Sequence, residues 1–67
     1  MSTDLVRVIV AIVVTPDDED KVKDGGMAPI FVAKDRQEQQ KISMYISRIT
    51  QSVLHDLENG VLMLVKH

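Results

Sequence analysis

The sequence predicts a single α+β domain over residues 1–67 with elements in the order ββαβ. A three-stranded antiparallel sheet of order 2-1-3 carries one long amphipathic helix on one face. Three observations predict this. Residues 35–60 repeat apolar side chains at helical spacing, residues 5–14 are dense in β-branched side chains, and two short apolar runs at 30–33 and 61–65 lie next to proline or glycine.

The helix is the organising element. On a wheel of about 100° per residue, Ile46, Ile49, Val53 and Leu57 fall within roughly 60° of Ile42, with Tyr45 on the flank. Gln40, Ser47, Arg48, Gln51, His55 and Glu58 take the far side, and Ser43, Ser47 and Ser52 read as exposed helix positions. Asp35 and Glu38 have capping-box spacing, and both carboxylates sit where the helix dipole is positive. Asn59-Gly60 supplies residues that tolerate a left-handed C-cap. A helix between these signals has about 24 residues and is roughly 36 Å long.

The first strand, LVRVIVAIVV at 5–14, is apolar on both sides: Val6, Val8, Val10, Ile12 and Val14 alternate with Leu5, Arg7, Ile9, Ala11 and Val13. Such a strand belongs in the middle of a sheet. The same run is too short to cross a bilayer, so no membrane association is expected. Thr15-Pro16 ends it, because proline cannot donate to a ladder. An acidic loop at 16–29 follows, then Ile30–Ala33 as the second strand and 61–65 as the third. A hairpin between the first two strands, with the third on the other side of the first, gives the 2-1-3 order. One helix covers only one sheet face. Ile9, Ala11 and Val13 would stay exposed on the other, which predicts a homodimer.

Oligomerisation is also expected from size, since 67 residues bury little and no cysteine is present to staple the chain. The lack of cysteine fits a reducing, cytoplasmic setting. Ten acidic against eight basic residues give a net charge of −2, which offers no general attraction to nucleic acid or anionic lipid. Phe31 and Tyr45 are too few aromatics for a repeated stacking platform.

No motif supplies a nucleophile, a metal site or a tuned acid–base pair, so a non-catalytic protein without cofactor is expected. Asp17-Asp18-Glu19-Asp20 lacks the ligand spacing and central glycine of an EF-hand loop. Gly25-Gly26 lacks the surroundings of a phosphate loop. The surface charge points to a regulator or inhibitor that binds a basic protein, imitating nucleic-acid charge, through Asp17, Asp18, Glu19, Asp20, Asp24, Asp35 and Glu38. Two other readings stand beside it. One is a nucleic-acid-binding module using Lys21, Lys23, Lys34, Arg36 and Lys41. The other is a structural subunit whose exposed strand edge joins a larger assembly.

Overall fold

The computed structural model describes residues 8–23, 26 and 28–66. They form β1 (Val8–Val14), a single 3-10 turn (Glu19–Lys21), β2 (Ile30–Val32), α1 (Arg36–Thr50), β3 (Val53–Asp56) and β4 (Leu62–Lys66). The sheet order is β2-β1-β4-β3. β1 runs parallel to β2 and antiparallel to β4, and β4 runs antiparallel to β3. The α+β class and the interior place of β1 agree with the sequence reading. The sheet has four strands rather than three, and it is mixed rather than wholly antiparallel.

The fourth strand comes from the second half of the expected helix. α1 begins as read: Asp35 is the N-cap, and its Oδ1 accepts the Glu38 N–H at 2.8 Å. Glu38 Oε1 in turn accepts the Lys34 N–H at 3.0 Å, one residue earlier than a standard capping box. The helix then stops at Thr50, because Gln51 turns left-handed at φ 57° and the Ser47 carbonyl accepts from the chain that follows. Val53 and Leu57 are four residues apart, a spacing that suits a helix of period 3.6 and a strand of period 2 equally well. Here the strand wins. Asn59-Gly60 is the turn of the β3–β4 hairpin, with Gly60 at φ 95°, and not a helix cap.

The connection from β1 to β2 is the second correction. A parallel neighbour needs a crossover of a dozen or more residues, and the loop at 16–29 is long enough to make one. The Ile12 N–H donates to the Pro29 carbonyl at 3.0 Å and the Ala33 N–H to the Val14 carbonyl at 2.7 Å, which fixes the parallel register at both ends of β2.

A β-bulge in β1 redistributes the faces. The pairing steps from Ile9↔Val65 to Ala11↔Leu64, so Val10 is the extra residue and the strict alternation breaks there. Val10, Ala11 and Val13 lie under the helix with Ala33, Leu62, Leu64, Ile42 and Ile46. Ile12, Val14 and Val61 form a second cluster on the opposite face, covered by Val22 of the crossover and flanked by Met63. Ala11 and Val13, expected on the uncovered face, are thus the floor of the main core. The second face is partly closed by the chain itself.

The helix face that meets the sheet is polar at its centre. Gln39 and Ser43 are both 0 % exposed, and Ser52, which follows the helix, is buried as well. The Gln39 amide donates to the Val13 carbonyl at 2.9 Å and to the Gly60 carbonyl at 2.8 Å, while its Oε1 accepts from Arg36 at 3.3 Å. Ser43 Oγ donates to the Gln39 carbonyl at 2.7 Å. These bonds tie α1 to the central strand and the hairpin turn. Among the described residues no buried side-chain nitrogen or oxygen is left without a partner.

Candidate interaction surfaces

The sequence-predicted acidic residues do not act as one patch. Asp18 forms an ion pair with Lys21 at 2.8 Å and its carboxylate presses against Gly60, where a Cβ would clash with it. Lys21 also donates to the Asn59 carbonyl at 2.6 Å, so Asp18 and Lys21 together pin the crossover to the hairpin turn. Asp35 and Glu38 are occupied in capping α1. Asp17, Glu19 and Asp20 are exposed, and Asp24 lies outside the described residues.

Acids and bases interleave where they meet. Asp17, Lys34, Asp35 and Arg36 line one surface hollow with Thr15 and Pro16. Lys34 and Lys41 line another with Asp35 and Glu38. Lys21 and Lys23 lie instead beside the second apolar cluster, so the five basic residues do not converge on one patch. Among the described residues no three metal-ligating side chains gather to hold an ion.

The prominent surface is apolar. Ile49, placed by its spacing on the buried stripe, is 80 % exposed, and Met44 and Tyr45 are about half-exposed. The burial of Gln39 and Ser43, with Thr50 partly buried on the same side, explains this. It rotates the helix so that Ile42 and Ile46 flank the contact and Ile49 and Tyr45 ride up its side. Ser47 Oγ donates to the Ser52 carbonyl at 2.6 Å just before β3, so that flank of α1 looks toward β3. On the wheel Tyr45 and Ile49 sit across the contact from Ser47 and therefore look toward β2. The helix packs over β1, β4 and β3, and Phe31, which pairs with Val13 and shares its face, stays exposed on the β2 side. Val8 is exposed at the start of β1. Val8, Phe31, Tyr45 and Ile49 are thus apolar side chains left in water, and Tyr45 lines a shallow hollow with Lys41, Met44 and Arg48.

The outer strands add to it. All three residues of β2 and all four of β3 are exposed, including Ile30, Val32, Val53 and Leu54, and Leu57 follows at the hairpin turn. Sequence reasoning missed Ile49 and Leu54 because it counted both as buried or helical. Gln39 and Ser43, the buried polar residues of α1, fall at and just past the Ile46 edge of the apolar stripe on the wheel, so the stripe alone did not mark them as buried.

The described residues thus make up a small α+β protein whose surface is marked by exposed apolar side chains on a helix flank and on both sheet edges. Residues 6–67 match the family model described as "Capping complex subunit for YIEGIA", and the chain belongs to that family. Comparison with curated proteins and with solved structures finds no match. No helix among the described residues is long and apolar enough to cross a membrane.

Proposed function

We infer that this chain is a non-catalytic subunit of a capping complex that engages YIEGIA, and that it works by presenting apolar surface to other proteins. The family match over residues 6–67 carries the reading. Its description favours the structural-subunit expectation over the acidic regulator of a basic protein, and it lends nothing to imitation of nucleic-acid charge. The exposed flank around Ile49 supports it physically. Large apolar side chains that a small domain leaves in water are what an assembly partner covers.

The test is co-expression of the tagged chain with YIEGIA, followed by affinity capture and gel filtration. Co-elution of the two is the expected result. Ile49→Asp should reduce the captured YIEGIA at least tenfold without unfolding the subunit, since it places a charge in the covered flank. Capture of the chain without YIEGIA, under conditions where both are folded, would overturn the reading.

A further inference from the structure

We propose that β3 is a self-complementary edge, through which two copies of this chain pair about a twofold axis at His55 into one continuous eight-stranded sheet. The inference stands on strand geometry and does not depend on the engagement of YIEGIA.

The hydrogen-bond alternation of the β3–β4 hairpin fixes which groups are open. The Leu57 N–H donates to the Val61 carbonyl at 3.1 Å, so Leu57 and Val61 form a hydrogen-bonded pair. In an antiparallel ladder these pairs alternate with non-bonded ones. With the register Val53↔Val65, Leu54↔Leu64, His55↔Met63 and Asp56↔Leu62, the inward-bonded residues of β3 are therefore His55 and Val53. The N–H and C=O of Leu54 and Asp56 point away from β4, along an edge that no described strand covers.

Only one twofold register satisfies all four of these groups. An axis at His55 sets Leu54 opposite Asp56 of the second copy and Asp56 opposite its Leu54. Each pair exchanges two main-chain bonds. An axis at Leu54 would require Ser52, whose N–H already donates to the Ser47 carbonyl and whose carbonyl accepts from Ser47 Oγ. An axis at Asp56 would require Glu58, which has left the strand at φ 61°. An axis between Leu54 and His55 would set outward groups against inward ones.

The side chains suit the same register. On the face away from the helix, Val53 of each copy meets Leu57 of the other beside the paired His55 residues. Both Val53 and Leu57 are about half-exposed in the single chain. A second copy is thereby favoured over an unrelated strand, because one contact repeated by symmetry covers both residues twice. Strands this short cover less than the about 800 Å² per partner of a standard interface, so the dimer should dissociate at roughly micromolar concentration.

The test uses the absence of cysteine from the chain. In the proposed register the two copies of residue 55 form a non-bonded pair with Cα atoms about 4.5 Å apart, within disulfide range. The two copies of residue 54 are diagonal neighbours roughly 7–8 Å apart, beyond it. Mild oxidation should link His55→Cys into a covalent dimer at least tenfold faster than Leu54→Cys or Asp56→Cys. The wild-type mass in sedimentation should rise with concentration from 7.5 kDa toward twice that value. Leu54→Pro removes an outward N–H and leaves the bonds to β4 in place, so it should stay monomeric with an unchanged circular dichroism spectrum. Equal linking at 54, 55 and 56, a wild-type mass that never rises, or a Leu54→Pro protein that is folded and still dimeric would overturn the proposal. Should Leu54→Pro fail to fold, the cysteine series decides alone.

Discussion

The two ends of α1 are built on opposite plans. At its N-terminal half the helix buries Gln39 and Ser43 completely and gives every buried polar atom a partner. At its C-terminal half it leaves Ile49 80 % exposed, beside half-exposed Met44 and Tyr45. Polar groups are inside where the crossover, the central strand and the hairpin turn converge, and apolar groups are outside where nothing in the chain covers them. The difference separates two tasks. The first end holds the fold together through directional bonds that tolerate few substitutions. The second still packs Ile46 on the main core, but its outer flank at Tyr45 and Ile49 adds little to folding of the single chain and keeps its apolar area for a partner.

The hydrogen-bonded end is most sensitive at Gln39. Gln39→Leu keeps the volume but strips the Val13 and Gly60 carbonyls of their donor, and it should cost about 2–4 kcal/mol in urea unfolding. That is most of the stability such a small domain possesses. Gly60→Ala attacks the same end from the turn. A Cβ there meets the Asp18 carboxylate at a backbone φ of 95°, and a loss of about 1–3 kcal/mol is expected by the same measurement. Asp35→Ala removes the helix cap and should cost about 1 kcal/mol. At the other end, Ile49→Asp should shift stability by no more than about 0.5 kcal/mol, because the side chain is already in water. If that substitution instead unfolds the chain, the division between the two ends is wrong. If Gln39→Leu is neutral, the buried amide does not hold the fold.

The acidic crossover belongs to the first end. Asp18 and Lys21 spend their charges on each other and on the hairpin turn, so what reads along the chain as a run of four acids is partly a clasp in space. The ion pair itself spans three residues, but its anchor on the Asn59 carbonyl lies 38 residues from Lys21, and charge counting along a sequence cannot see that contact.

Local chemistry determined a good deal on its own. The β-branched run at 8–14 had to be an interior strand, since either face left in water would expose valine and isoleucine. Asp35 and Glu38 marked the helix start through bonds that reach only three or four residues. The length of the crossover already permitted a parallel neighbour. Tertiary structure decided the rest. Residues 53–56 became a strand because β4 offered a ladder, at a spacing that suited either period. The bulge at Val10 exchanged the faces of β1, a shift visible only once β4 is in register beside it. The buried side of α1 was settled by Gln39, whose amide finds two carbonyls that only the folded chain brings together. Hydropathy ranks that residue as surface, and satisfied hydrogen bonds across the fold put it in the core.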